Sequence, residues 1–370
     1  MVDQTAIIVI SAFLGLASGI IMHRSDFCVA GMFRDLFLFR HSPLLRSLFL
    51  LVAVSMFLFQ TAQLTGVLNY NLPSSLYGLP ALTNLLGGTL FGIGMVLAGG
   101  CVVGTLYKLG SGSLPAACAF SGLLIGSALY GEFHPFWMQL TQATRLGDAA
   151  TLPQLLQLPP TLVIFILLLM AGGLLYQWQI KGLLVRPNRI KGYLQPWIAA
   201  LLLAMIGLTS FTLLGMPIGV TTSYAKIGAL CENLMFPGHV ASLSYFQSHN
   251  FSYFLPLSRQ TLHAGAGPVW DGLALVQLPL IAGIIVGSGL SAVSMGKFNR
   301  CFTVPCRQLL SALVGGIIMG LAARMAPACN IWHLFGGLPL LSLQSILFTL
   351  GLFPGAWIGS FIFARYIVQQ

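Results

Sequence analysis

Four cysteines stand at the ends of apolar stretches of this chain. Cys28 closes Arg24-Ser25-Asp26-Phe27-Cys28, and Cys101 follows Ala98-Gly99-Gly100. Cys231 closes Tyr224-Ala225-Lys226-Ile227-Gly228-Ala229-Leu230-Cys231, and Cys329 follows Pro327-Ala328. A thiol is a weak hydrogen-bond donor and its sulfur a weak acceptor. Thiols lining a path can therefore touch an oxyanion or a sulfur-containing substrate without fixing it. A thiolate would instead attack a sulfur–sulfur bond. Permeation needs binding weak enough for release, which favours neutral thiols as relay contacts. The seven cysteines are odd in number, with no CxxC and no zinc spacing, so neither a disulfide framework nor a metal or other cofactor is expected. His333 follows Cys329 by four residues, but no second pair completes a metal site. Cys118 lies within an apolar stretch and reads as a small buried residue. The spacing of Cys301 and Cys306 is a weak case for a redox pair.

Other groups surround these thiols in sequence. Gly99 and Gly100 can interrupt a helix and let backbone approach a ligand. The segment after Cys101 would then begin a short helix whose free N–H groups favour an anion. Lys108, with Tyr107 and Ser111, can meet that anion on one side, while Asn330 follows Cys329. Arg324 lies inside an apolar stretch, where an ionisable residue is a functional candidate by default. Arg24, Asp26, Arg34 and Asp35 sit close enough to pair locally as a cap. No carboxylate stands mid-span, which weakens proton coupling, and there is no Walker motif for ATP hydrolysis.

The elements that must position these residues are membrane helices. Of 370 residues, 57% are hydrophobic and 6% charged, and the mean hydropathy is +0.89. A soluble domain is about 25% charged, so a soluble enzyme, a nucleic-acid binder and a disordered chain are excluded. No separate signal peptide is expected, because the first apolar stretch lacks a basic flank. Nine stretches are long enough to cross a bilayer: Ala6–Met22, Ser47–Leu68, Leu82–Gly99, Leu114–Tyr130, Thr161–Trp178, Pro196–Gly215, Gly272–Ser294, Gln308–Ala326 and Leu343–Ile367. With the N-terminus outside, 13 of the 17 Lys and Arg residues fall in inner loops and three in outer loops. That asymmetry predicts N-terminus out and C-terminus in, with Cys28 and Cys101 inner and Cys231 and Cys329 outer. Phe27–Leu38, Val220–Phe236 and the segments after Cys101 and Cys329 are too short to cross; they read as re-entrant pieces, tolerated only inside protein or beside water.

Gly87, Gly88, Gly92, Ala98 and Cys101 recur as Gly315, Gly316, Gly320, Ala326 and Cys329, all 228 residues later and without a gap. Five spans separate the two copies, so they run in opposite directions through the membrane. The fold class is an all-α polytopic membrane protein with about nine transmembrane helices, short re-entrant helices and an inverted-topology repeat, a transporter plan with the site between halves. The expected division is residues 1–135 as the first repeat, 136–194 as a linker span and 195–370 as the second, inverted repeat.

These motifs resemble the YeeE/YedE family of sulfur-transport membrane proteins, whose members include thiosulfate transporters. The resemblance rests on Phe27-Cys28-Val29-Ala30-Gly31 with Arg34-Asp35, and on Phe91-Gly92 through Ala98-Gly99-Gly100-Cys101-Val102-Val103-Gly104 with Leu109-Gly110-Ser111-Gly112. In the second half it rests on Gly320 and Arg324-Met325-Ala326-Pro327-Ala328-Cys329-Asn330. It spans nearly the whole chain. Two positions depart: Ala328 stands where the family usually has glycine, and Trp332 where a small residue is usual. A bulky indole there would narrow the outer site or change the substrate. The resemblance implies an hourglass-shaped protein of the bacterial inner membrane with cysteines along a central path. It implies uptake of thiosulfate or a related small sulfur anion, and a small cytosolic sulfur-carrier protein of the TusA type as recipient. Cys231 and Cys329 would receive the anion and Cys28 and Cys101 release it. A selenium compound on the same path, or a membrane thiol- or persulfide-transfer enzyme, are the alternatives.

Overall fold

The computed structural model describes residues 4–40, 42–68, 76–186, 192–248, 251–257, 259–298 and 304–368. Among the described residues, twelve helices of nine or more residues organise the chain. They are α1 (Gln4–Ser25), α2 (Val29–Phe39), α3 (Pro43–Leu64), α4 (Leu82–Leu97), α5 (Val102–Gly110), α6 (Leu114–Ala143), α7 (Pro160–Ile180), α8 (Pro196–Leu214), α9 (Thr221–Met235), α10 (Gly272–Ser294), α11 (Cys306–Met325) and α12 (Leu343–Phe363). Among the described residues, nine helical stretches are long and apolar enough to cross a membrane. They coincide with the nine expected spans; the 17 to 25 apolar residues a bilayer demands leave little latitude. Helix α6 runs 30 residues, further than expected, and passes through residue 135 to Ala143.

Local chemistry sets the helix ends. Proline occupies the first turn of α3, α6, α7 and α8, where its missing N–H costs nothing. The Asp271 carboxylate caps α10 by accepting from the backbone N–H groups of Leu273 and Ala274 at 3.1 and 3.0 Å. Helix α4 stops at Ala98 because Gly99 turns left-handed, φ +69°; Gly99 N–H then donates to Val96 O and Gly100 N–H to Met95 O.

The helices pack as exchanged pairs. Helix α1 lies on α10 and α3 on α8; α4 lies on α12 and α6 on α11; α4 and α11 meet each other. Lipid gives helices no hydrophobic reason to associate, so close backbone approach carries these contacts. Gly88 and Gly92 of α4 lie against the backbone of Phe348 and Leu352 in α12, and Gly351 and Gly355 of α12 face Leu85 and Thr89 of α4. Gly316 and Gly320 of α11 lie in the same way on Ala119 and Leu123 of α6, with Gly122 and Gly126 returning the contact. Helix α7 stands apart: only Val163 and Ile164 of it are buried, and it touches α3.

The loop between α9 and α10 holds a feature the all-helical expectation does not contain. Phe251–Leu255 (β1) pairs antiparallel with Gln260–Ala264 (β2), Phe251 opposite Ala264 and Leu255 opposite Gln260. Alternation is weak in both strands, so the sequence signal for a hairpin is weak. Two anchors hold it. Tyr253 donates to Gly272 O at 3.0 Å, and burial, with Asp271 nearby, raises its phenol so that it stays a donor. Lys226 of α9 donates to Gly267 O and Val269 O, each at 3.1 Å, and to Asp271 at 2.7 Å, all out of solvent. The hairpin marks one end of the molecule. The other end carries Arg24, Arg46, Lys108 and Lys297, and is knit by Leu194 N–H to Arg24 O and by Arg46 to Leu183 O.

Candidate functional site

Cys28, Cys101 and Cys329 occupy the same local position. Each is the residue before a helical segment, and its carbonyl accepts the first helical bond: from Met32 N–H at 2.9 Å, Thr105 N–H at 2.7 Å and His333 N–H at 3.1 Å. Each side chain therefore sits where backbone N–H groups are unspent and the helix end is partially positive. Cys101 Sγ accepts from Gly104 N–H at 3.3 Å, Cys28 Sγ faces the N–H of Gly31, and Cys329 Sγ faces those of Ile331 and Trp332. All three thiols are buried, Cys101 and Cys329 completely.

The breaks that create these positions come from the residues just before them. Gly99 and Gly100 end α4 ahead of Cys101. At the matching place after α11, Pro327 blocks continuation and Ala328 adopts φ +130°. That conformation favours glycine, and an alanine in it stores of order 1–3 kcal/mol.

A chain of contacts links the three thiols. Cys28 and Cys101 lie side by side, with Gly104 against both sulfurs; a side chain there would collide with Cys28 Sγ at 2.8 Å. The Asn330 amide reaches toward Cys101, which ties the segment after Cys329 to the first pair. Tyr107 stands beside Cys28 and also lines a cavity of about 160 Å³ shared with His23, Arg24, Asp26, Lys108 and Lys297. In the other direction the backbone N–H of Trp332 faces Cys329 Sγ, and its ring packs with Tyr77 at 5.9 Å and Phe251 of the hairpin at 6.3 Å between ring centres. Contacts thus run from the hairpin to the basic end: Phe251, Trp332, Cys329, Asn330, Cys101, Cys28, Tyr107 and the cationic cavity.

Unpaired polar groups follow the same line. Tyr107 Oη, Thr105 Oγ1, both ends of the Asn330 amide, Tyr224 Oη, Ser223 Oγ and Trp332 Nε1 are buried without a hydrogen-bond partner among the described residues. Each such group costs about 1–3 kcal/mol if nothing meets it. Standing beside the three thiols, these groups leave an interior able to touch a polar solute.

The charged residues take definite positions. Arg324 is 8% exposed and reaches the start of α9, where it donates to Thr222 Oγ1 at 3.1 Å and also to Thr221 Oγ1. Its Nε has no partner among the described residues. Val220, the residue before α9, directs its N–H at Cys329 Sγ, so α9 adds a fourth helix start to the site. Lys108 donates to Gly99 O and lines the basic cavity, which joins the α4 break to that end of the line. His333 is fully buried and stacks on Phe348 at 4.3 Å. Its Nε2 donates to Ala326 O at 3.2 Å, so its Nδ1 accepts from Ser345 Oγ at 2.9 Å. Both nitrogens are used by protein.

Of the expected site residues, Cys28, Cys101, Cys329, Gly99, Gly100, Asn330, Arg324 and Lys108 come together here. Cys231 does not. It is exposed on α9, in an apolar groove against α6 shared with Leu124, Ala128 and Glu232. Cys306 is exposed at the start of α11, Cys118 is half-buried in α6, and Cys301 lies outside the described residues. Sequence reasoning missed Tyr77, Tyr224 and the Thr221-Thr222-Ser223 run. Three consecutive hydroxyl residues at the start of the short segment that follows the sixth apolar span were the available signal.

Along the chain, residues 24–358 fit the family described as sulphur transport. The chain belongs to the sulphur-transport family. The thiosulfate transporter TsuA of Spirochaeta thermophila is 29% identical over 368 residues, covering 93% of this chain and 97% of that protein. The thiosulfate transporter TsuA of Escherichia coli is 23% identical over 365 residues, covering 94% and 92%. The probable transporter YedE of Salmonella typhimurium is 30% identical over 125 residues, 34% of this chain and 29% of that protein. This member of the sulphur-transport family is a multi-pass membrane transporter.

Proposed function

We propose that the protein imports thiosulfate, or a similarly small sulfur oxyanion, across the bacterial inner membrane by way of Cys329, Cys101 and Cys28. The observation that carries this reading is the shared position of the three thiols at helix starts, along a line of unpaired buried polar groups. The near-full-length similarity to two thiosulfate transporters supports the choice of anion.

The chemistry follows from that arrangement. An oxyanion in a low-dielectric interior needs positive potential, and few charges stand near the line. Helix starts, Arg324 at one end and the Arg24–Lys108–Lys297 cluster at the other supply it. Between them, thiols and single hydroxyl or amide donors offer contacts weak enough to leave, which permits stepwise passage. The thiols remain uncharged relays and form no bond to the cargo.

In this reading the hairpin end faces outward and the basic end faces the cytoplasm, supported by the distribution of Lys and Arg. The exchanged helix pairs and the matching glycine contacts support an inverted repeat, α1–α6 against α8–α12 with α7 as linker. Hand-over to a TusA-type carrier on the cytoplasmic side rests on the family resemblance. The test is uptake of labelled thiosulfate into vesicles containing the purified protein. Uptake that saturates and is competed by unlabelled thiosulfate is expected; vesicles no more permeable than protein-free ones would overturn the reading.

A further inference from the structure

We propose that Trp332 is the selectivity element at the hairpin end of the path: its ring limits the size of anion admitted, and its indole N–H hydrogen-bonds that anion. This inference rests on the transport reading above and goes beyond it, because it assigns discrimination to one side chain.

Trp332 opens the π-helical turn Trp332–Gly337 directly after Cys329 and Asn330, and is 5% exposed. Its surroundings hold the ring in one pose. Tyr77 and Phe251 pack against it, and Tyr77 Oη donates to the Trp332 carbonyl at 3.4 Å. Tyr77 is itself seated on Gly336 and Gly337, where side chains would meet its ring and hydroxyl. On the remaining side the indole lies on Gly219, at the approach to α9; a β-carbon there would come within 2.6 Å of the ring. A glycine opposite a large ring is a fitted pair, and the ring touches both Gly219, next to the Val220 N–H that faces Cys329, and Phe251 of the hairpin.

The polar edge of the ring gives the second half of the inference. Trp332 Nε1 is buried and has no hydrogen-bond partner among the described residues. A buried indole N–H normally finds an acceptor. Two residues earlier the Asn330 amide, which reaches toward Cys101, also makes no hydrogen bond among the described residues. An indole N–H donates only, which selects for an acceptor-rich anion and offers nothing to a cation.

The experiment compares thiosulfate with tetrathionate, a longer anion with two sulfonate ends, in vesicles containing the purified protein. The unsubstituted protein is expected to prefer thiosulfate. Trp332→Ala removes the ring, and should cut that preference by about tenfold through admission of tetrathionate. Trp332→Phe keeps most of the ring but lacks the donor, and should keep the preference while raising KM for thiosulfate by about tenfold. An unchanged preference in Trp332→Ala, or an unchanged KM in Trp332→Phe, overturns the inference while leaving thiosulfate transport standing. If Trp332→Ala does not elute as a monodisperse peak, Trp332→Phe alone decides through KM. Absence of thiosulfate uptake by the unsubstituted protein would instead overturn the transport reading, and the inference with it.

Discussion

Each buried thiol contributes a contact that alanine cannot replace, while its volume is nearly kept. Cys28→Ala and Cys101→Ala are therefore expected to lower thiosulfate uptake by about tenfold or more at unchanged yield of folded protein, measured in vesicles. Cys231→Ala, on the exposed groove, is expected to leave uptake within about twofold. The cysteines were legible as candidates because their flanking residues break helices. What separates Cys231 from the others was not legible by residue type. Val220, not Cys231, stands before α9 as Cys28 stands before α2, and it lies 192 residues on, not 228. On the proposed repeat, the hairpin segment between α9 and α10 shifts the offset, so a constant spacing finds Cys329 and misses Val220. Ala328 gives a prediction of the opposite sign. Its positive φ suits glycine, so Ala328→Gly is expected to stabilise the protein by about 1 kcal/mol, seen as a higher Tm in detergent.

Paired helices decide the second scale. Gly316 lies against the Ala119 carbonyl, with no space for a side chain. Gly316→Val forces α6 and α11 apart and is expected to cost about 1–3 kcal/mol, read as a lower Tm. Gly172 of α7 is the control, since no atom lies near its missing β-carbon; Gly172→Ala is expected to gain about 0.5–1 kcal/mol from helix propensity. Which stretches form helices was readable, because apolar length fixes a span. Which helices pair was not. The glycines at four-residue spacing were visible, but each such face fits several partners, and only the three-dimensional structure matches α4 to α12 and α6 to α11. The hairpin was hidden for a different reason: Phe251–Ala264 is held by Tyr253 and the Lys226–Asp271 pair, contacts far apart in sequence.

At the scale of the whole molecule, the proposed orientation rests on the gathering of Lys and Arg toward the end opposite the hairpin. Cys306 is exposed at the basic end. In a Cys231→Ala, Cys301→Ala background a membrane-impermeant maleimide is expected to label Cys306 in inverted vesicles and not in intact cells, with the signal lost on adding Cys306→Ala; labelling of Cys306 in intact cells would reverse the proposed orientation. The low charge content of the chain has a mechanistic side as well. With 24 charged residues in 370, the anion must be met chiefly by helix starts, thiols and single donors, and Arg324 is the buried cation nearest the Cys329 end. The most direct test of the thiol line is uptake of labelled thiosulfate by vesicles holding the Cys101→Ala, Cys329→Ala double variant. The account predicts uptake reduced by about a hundredfold, to near the level of protein-free vesicles; uptake equal to that of the unsubstituted protein would contradict it.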